Sequence, residues 1–358
     1  MKENKRSERN ELISVVIPMY NAEDYVRECL ESVCKQTYSH WECVVVDDGS
    51  LDRSCQVVME MIKTDSRIRL LQIPHQGVSY AVKAGVLEAK GQWIYFADSD
   101  DWIDEDELAV LYGHVHTTGC DMVAANYILE KGKPKKMPLV RFEGLVHRED
   151  FSRELFSHLL CKVDFGGLVC GNTRSGKLIK RELVVQNVEY QIGLRFGEDA
   201  ILMLAALLDS KTVVGDRERY GYHYRVHEKS SSSNYGIASG RFRMEYMIRV
   251  KMLLEEKGIF EHPVLQDNFR QFLLIFIVGI FRRVEFDEKE LYQRYPEMEA
   301  YITDALDYIM TGSHREMELR TRMLLWLLKK KQHNALQLLY RINRLKNYGW
   351  EKKADKRV

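Results

Sequence analysis

Between Leu12 and Asn126 the chain alternates short apolar, β-prone runs with longer stretches whose apolar residues recur at helical spacing, and few folds accept that rhythm. Leu12–Ile17, Trp41–Val46, Arg69–Ile73, Trp93–Ala97 and Asp121–Asn126 have the length and composition of buried strands. After the first run, Ala22, Tyr25, Val26, Cys29, Leu30, Val33 and Cys34 fall on one helical stripe. Further helices are expected from about Asp52 to Thr64, Val78 to Ala89 and Asp106 to His116. Strands alternating with amphipathic helices predict an α/β fold, a Rossmann-like and mainly parallel sheet flanked by helices. Pro18 is expected to stop the first strand, and Asn21 to cap the next helix with Asp24 as a weak capping-box partner.

In such sheets ligands bind at the carboxyl ends of strands, near a topological switch point. The unusual residues lie there: Pro18–Asn21, Asp47–Ser50 and Asp98–Asp101. The strand W-I-Y-F-A runs directly into Asp98, Ser99, Asp100 and Asp101. Three neighbouring carboxylates repel one another unless a cation joins them. A hard divalent ion, Mg2+ or Mn2+, suits such oxygens; a solvated acidic turn capping the following helix is the plainer alternative. A dinucleotide site would need G-x-G-x-x-G after the first strand, and P-M-Y-N-A has no glycine.

Beyond Asn126 the pattern changes. Lys131–Gly132–Lys133 has the look of a hairpin tip, Arg148–Leu160 of a helix, and Asp164–Lys177 of a glycine-rich mobile segment. Glu198 and Asp199 open a strongly apolar helix, where acidic residues also favour the helix dipole. Thr212–Val214 and Tyr220–Val226 are expected strands, and His223 and His227 on the second could approach a metal or be structural. Helices are expected at Phe242–Leu254, Leu265–Val284, Lys289–Tyr295, Ala300–Ile309, Arg320–Leu328 and Leu336–Leu345. The expected division is a charged tail at 1–11, a catalytic unit at 12–238 and a helical region at 239–358, with the boundary near Gly236–Gly240.

At 358 residues two units are the default. The formal net charge is zero, so nothing global points to nucleic acid. From His314 to Val358, however, 13 Lys and Arg stand against 4 Asp and Glu, a local excess of +9. The charged N-terminus lacks an apolar signal core. The longest apolar run, Phe272–Phe281, is ten residues, too short to cross a bilayer. Seven scattered cysteines without a C-x-x-C pair fit reduced thiols in a cytoplasmic protein and speak against zinc.

Four blocks in order, V-V-I-P-M-Y-N-A-E-D-Y, V-V-V-D-D-G-S-L-D-R-S, W-I-Y-F-A-D-S-D-D-W-I and F-G-E-D-A followed by Y-H-Y-R-V-H-E-K-S-S-S, resemble the family-2 glycosyltransferases of the GT-A fold. The resemblance runs from about Ile13 to Ser232 and implies a nucleoside-diphosphate sugar donor and transfer with inversion. Carried over by motif, Pro18, Tyr20 and Asn21 would surround base and ribose, and Asp48 would accept a hydrogen bond from the base, which favours uridine. Asp98 would hold ribose or sugar hydroxyls with Ser99 beside it, and Asp100, with Asp98, would hold Mn2+ or Mg2+ bridging the diphosphate. Glu198–Asp199 would be the acceptor-side pair with Asp199 as base, and Arg225, Ser230 and Ser232 would close over the diphosphate. The chemistry agrees: the leaving diphosphate needs cations, and the attacking hydroxyl needs one carboxylate on the opposite face of the sugar.

Departures from the family pattern are local. Val82 replaces a donor-contacting Arg, leaving Lys83 as a candidate for its charge; Leu51 replaces a Thr; and N-T-R-S-G stands where a Trp usually precedes Lys177–Leu178. The basic segment Arg320–Leu345 is amphipathic and either lies on an anionic membrane surface, implying a lipid-linked acceptor and a peripheral place at the inner face of the cell membrane, or packs on the catalytic unit. The expected function is therefore an inverting transferase, UDP-sugar to a saccharide or lipid-linked hydroxyl, in cell-surface or exopolysaccharide synthesis. The alternative is a glycosyltransferase-like binding or scaffold protein without turnover.

Overall fold

The computed structural model describes residues 11–157, 159–160, 173–227, 239–281, 293, 296–311, 326–327 and 329–330. Its frame is β1 (Ile13–Met19), β2 (Trp41–Asp47), β3 (Ile68–Gln72) and β4 (Trp93–Phe96), linked by α1 (Val26–Cys34), α2 (Ser54–Thr64) and α3 (Val78–Glu88). The two-residue β5 (Trp102–Ile103), α4 (Glu107–Thr118) and β6 (Met122–Ala124) follow, then β7 (Tyr127–Glu130), β8 (Lys135–Met137), β9 (Gly144–His147) and the single turn α5 (Phe151–Glu154). Next come β10 (Lys177–Lys180), α6 (Arg181–Asn187), α7 (Glu198–Asp209), β11 (Thr212–Gly215) and β12 (Tyr222–Arg225). Helices α8 (Ser239–Glu256) and α9 (Pro263–Phe281) complete the series, with one more over Pro296–Met310.

The main sheet runs β3-β2-β1-β4-β10-β6-β11-β9. Its first four strands are parallel, and β10 enters antiparallel between β4 and β6. Chain order reverses between β1 and β4, which puts the crevice of a doubly wound sheet at their carboxyl ends. Both faces are covered, which is why β1 and β2 are buried at every position. Ile13, Val15 and Ile17 pack with α1, α2 and α4, whereas Val16 joins α3, α6 and α7. A smaller sheet, β5-β12-β7-β8, stands beside the main one, and its β7–β8 hairpin turns through Lys131–Lys133 as expected.

Helix α7 is buried along Ala200–Leu208 and packs against α6 and α8. Its apolar cluster continues through Met247, Val250 and Leu253 of α8, Leu265, Phe269 and Phe272 of α9, and Ile302 and Leu306 beyond. The C-terminal helices thus share one core with the sheet.

Three local expectations need correcting. Pro18 does not stop β1, which continues to Met19 with Pro18 opposite Val46. Alternate β1 residues face β4, and that ladder ends at Val16 with Ala97 N–H on its carbonyl, so the missing N–H of Pro18 leaves no partner wanting. Asn21 is not the cap of α1, which begins only at Val26. It sits at φ 49° and its Oδ1 accepts the N–H of Leu51 at 2.8 Å, tying two loops together. The helix expected over Arg148–Leu160 shrinks to a 3-10 turn and α5; Leu155, Phe156, Leu159 and Leu160 instead sink into the core, where Asn268 of α9 accepts the Leu160 N–H at 2.8 Å. The segment 164–172, the helix expected at Lys289–Tyr295 apart from Gln293, the helix expected at Leu336–Leu345, and nearly all of the basic tail lie outside the described residues, as does the expected boundary up to residue 238.

Candidate active site

The carboxyl ends of β1, β2 and β4 open into one cleft of about 1100 Å³, lined by Pro18, Tyr20, Asn21, Asp48, Asp98, Ser99, Asp100, Glu198 and Asp199 among others. Nine of the residues singled out from the sequence are therefore brought together.

The end of the cleft at β2 is built from loops locked by hydrogen bonds to backbone N–H groups. Asp48, at the end of β2, is 2 % exposed, and its two carboxylate oxygens accept the N–H groups of Gln76 and Gly77, each at 2.8 Å. That bond pair fixes the entry to α3, where Gly77 takes φ 102°, a value a side chain would resist. His75 Nδ1 lies 2.9 Å from Asp48 Oδ2, and its ring stacks on Tyr20 with centroids 4.3 Å apart. Tyr20 itself is 44 % exposed, so a flat aromatic surface is available at this end.

Next comes the acidic turn. Asp101 is buried; its Oδ2 accepts the Tyr222 hydroxyl at 2.5 Å and its Oδ1 the N–H of Arg225 at 2.8 Å. Burial first, and then the charges of Asp98 and Asp100, push its carboxyl well above the usual range. Asp101 thereby fastens β12 to the turn and delivers the residues that follow it. His227 arrives with Nε2 at 2.8 Å from Asp100 Oδ2 and stacks on Tyr25 at 4.6 Å. Asp100 is raised too, by burial and by Asp98, with His227 opposing. His223 is structural: its ring nitrogens reach Glu130 at 2.8 Å and Asp104 at 3.0 Å, and it stacks on Trp102.

Divalent metal was expected at Asp100 and Asp98. Among the described residues no cluster of three or more His, Cys, Asp or Glu side chains forms a complete site. The Asp100 carboxylate and the His227 ring, now hydrogen-bonded to each other at 2.8 Å, are the two donors here that would hold a divalent ion such as Mn2+, with water and substrate phosphates supplying the rest. Asp98 is less available, because its Oδ1 accepts a hydrogen bond from Arg174 at 2.6 Å.

Arg174 went unnoticed in the sequence. Its side chain is only 4 % exposed and forms ion pairs with both Asp98 and Asp199, so it joins the β4 turn to the start of α7. Burial alone would pull its pKa down, but the charges of Asp98 and Glu198 raise it. The far wall was missed as well. There Arg195, Phe196, Arg243, Tyr246, Phe272 and Phe276 come from the approach to α7 and from α8 and α9. Arg243 lies 4.4 Å above the Phe196 ring, and Tyr246 and Phe276 have centroids 5.5 Å apart. Gly197 permits this closeness, since a Cβ there would stand 2.5 Å from the Tyr246 ring and its φ is 75°.

Two candidates fall outside the cleft lining. Lys83 points to Glu189, with Nζ at 2.5 Å, and Val82 beside it is fully buried in the core. Arg225 lies over Trp102 and Tyr25 with Glu28 at 2.5 Å, so its charge is already matched. Ser230 and Ser232 are outside the described residues.

Comparison with known proteins gives this geometry a family. The model for "Glycosyl transferase family 2" matches residues 14–186. Glycosyltransferase GlyG of Streptococcus pneumoniae is 33% identical over 222 residues, covering 60% of this chain and 72% of that protein. Cholesterol galactosyltransferase of Borreliella burgdorferi is 26% identical over 306 residues, 82% of this chain and 83% of that one. Among solved structures, S. aureus TarS in complex with UDP-GlcNAc superposes with a TM-score of 0.65 at 18% identity, covering 92% of both chains, a likeness of fold. The cleft at the β1–β4 switch, its acidic turn and these relatives agree: the chain belongs to the family 2 glycosyltransferases and carries the GT-A fold.

Proposed function

We propose that the protein is an inverting, divalent-metal-dependent transferase that moves a sugar from UDP to a hydroxyl of a saccharide or lipid-linked saccharide. The observation that carries this reading is the placement of Asp199 beside the Asp98–Asp100 turn, joined to it through Arg174, in one cleft whose lining also holds Tyr20 and Asp48. Tyr20 would take the base on its exposed face, and Asp48, Pro18 and Asn21 would shape the base and ribose pocket. Asp98 and Ser99 would meet the sugar and ribose hydroxyls.

Asp100 with His227 would hold Mn2+ or Mg2+, which when bound supplies positive charge to the departing diphosphate. No proton need be given to that leaving group. The acceptor hydroxyl must lose its proton as it attacks the anomeric carbon, and Asp199 is the carboxylate on the acceptor side that can take it. Glu198, the other acid in the first turn of α7, lies in the same lining and would bind acceptor hydroxyls. Attack from the face opposite the diphosphate inverts the anomeric centre, by the geometry that governs inverting glycoside hydrolysis.

The division at residue 239 is then one of labour. The part before it would hold the donor, and α8 and α9 would complete the acceptor wall with Arg243, Tyr246, Phe272 and Phe276. A lipid-linked acceptor, cell-surface polysaccharide synthesis and attachment to an anionic membrane through the +9 tail form one reading. The similarity to a protein named for a lipid acceptor, cholesterol galactosyltransferase, supports it. Among the described residues no helix is long and apolar enough to cross a membrane.

The direct test incubates the full chain with Mn2+ and a panel of UDP-, GDP- and CDP-sugars and measures released nucleotide. UDP release that disappears in Asp199→Asn is expected. Release from GDP- or CDP-sugars only, or none from any donor, would overturn the assignment.

A further inference from the structure

The buried guanidinium of Arg174 belongs to N-T-R-S-G, the stretch that stands where the family pattern has a Trp before Lys177. The turn that carries it is held from three sides. Ser175 makes a parallel bridge to Phe96 at the end of β4, and Gly176, at φ 67°, gives its carbonyl to the N–H of Ala125 at 2.9 Å. The ammonium of Lys177, itself 1 % exposed, donates to the carbonyls of Thr173 at 2.6 Å and Ser175 at 3.2 Å. Residue 174 is therefore fixed beside the carboxyl end of β4, next to Asp98.

From there one terminal nitrogen donates to Asp98 at 2.6 Å, and the other pairs with Asp199. The two carboxylates belong to different halves of the site and are 26% and 22% exposed, while the cation between them is almost wholly buried. A planar guanidinium can direct separate N–H groups at two carboxylates at once, which a lysine ammonium reproduces only in charge. Without that cation the Asp199 carboxylate would lose both its orienting N–H group and the positive charge beside it.

We propose, on the glycosyltransferase reading above, that Arg174 is a positioning residue: it aims the Asp199 carboxylate into the cleft and ties that aim to the donor-side Asp98. The aromatic position that the family pattern expects just before Lys177 has given way here to the turn that presents it. Arg174 acts through Asp199, so its loss falls on the chemical step and on the acid side of the pH profile, and spares nucleotide binding.

The experiment uses the full chain and whichever of UDP-glucose, UDP-galactose, UDP-N-acetylglucosamine and UDP-N-acetylgalactosamine gives the fastest UDP release. Wild type, Arg174→Gln and Arg174→Lys are compared from pH 5 to 9, and UDP affinity with Mn2+ is measured by calorimetry. Arg174→Gln is expected to lose about a hundredfold in kcat at pH 6 and far less at pH 9, because the acid limb moves up by about one to three pH units. UDP affinity stays within about threefold, and Arg174→Lys brings the limb part of the way back. An unchanged limb, or a loss equal at every pH and matched by donor KM or melting temperature, makes Arg174 a structural prop and overturns the proposal. Should the Gln variant fail to fold, the Lys variant decides by the same criterion. Wild-type turnover with indifferent variants sinks the role of Arg174 alone; a wild type that binds UDP but releases none from any donor sinks the catalytic reading with it.

Discussion

The two halves of the cleft are made in different ways. On the donor side, polar side chains hold backbone. Asp48 takes two N–H groups, Asn21 takes one, and Ser54 Oγ accepts the N–H of Ala22 at 2.7 Å. Loops tied in this manner present a preformed surface before any ligand arrives. On the proposed acceptor side, rings and guanidinium groups from α8 and α9 pack against the start of α7. If the proposed assignment holds, the contrast teaches that nucleotide recognition is fixed by short-range loop chemistry, whereas acceptor recognition depends on how distant helices meet.

The largest way to break this comparison is Asp199→Asn, which removes the proposed base and changes none of the side chains proposed to touch the donor. Transfer should fall by about 10²–10⁴-fold while UDP affinity stays near wild type, read as kcat against calorimetric Kd. A parallel loss of UDP binding would show that the halves are not separable. Asp48→Ala attacks the other half. It takes the acceptor away from two part-buried N–H groups, each bond to the carboxylate worth about 1.5–3 kcal/mol, so UDP affinity should drop by about 10–100-fold and the melting temperature with it.

Gly197→Ala sharpens the distinction from the acceptor side. A Cβ 2.5 Å from the Tyr246 ring at φ 75° should cost about 1–3 kcal/mol in urea unfolding, while the increment in melting temperature on adding UDP and Mn2+ stays as in wild type. The smallest effect is expected for Lys83→Ala. Lys83 and Glu189 are 33% and 66% exposed, and a pair so solvated contributes at most about 1 kcal/mol, so donor KM should change by less than about twofold in steady-state assays. A tenfold rise would return Lys83 to the donor site.

The same contrast explains what was legible in the sequence. Strands β1–β4 and helices α1–α4 were visible within a few residues because their periodicity is local and both sheet faces are covered. The donor loops were visible because their residues cluster at strand ends and repeat a family pattern. Strand β10 was missed because Lys-Leu-Ile-Lys is too short to show a period, and it becomes a central strand only by slotting between β4 and β6. Arg174 was hidden for the same reason: only that insertion brings it to Asp98, 76 positions earlier in the chain. The acceptor wall gave no local signal, since Phe196, Tyr246 and Phe272 meet only once α7, α8 and α9 have packed. Lys83 shows no such local signal of its direction, and helix α3 turns it toward Glu189.

The most direct measurement is a calorimetric titration of UDP, with and without Mn2+, into wild type, Asp100→Ala and Asp199→Asn in parallel. A ligand at a hundred times its Kd that binds only the folded state stabilises it by about 2.7 kcal/mol, so thermal shifts on the same samples provide a check. The account predicts that wild type and Asp199→Asn bind UDP alike and more tightly with Mn2+, whereas Asp100→Ala loses the Mn2+ dependence. Equal binding by all three proteins, or loss in Asp199→Asn alone, would contradict a donor half that holds nucleotide and metal independently of the base.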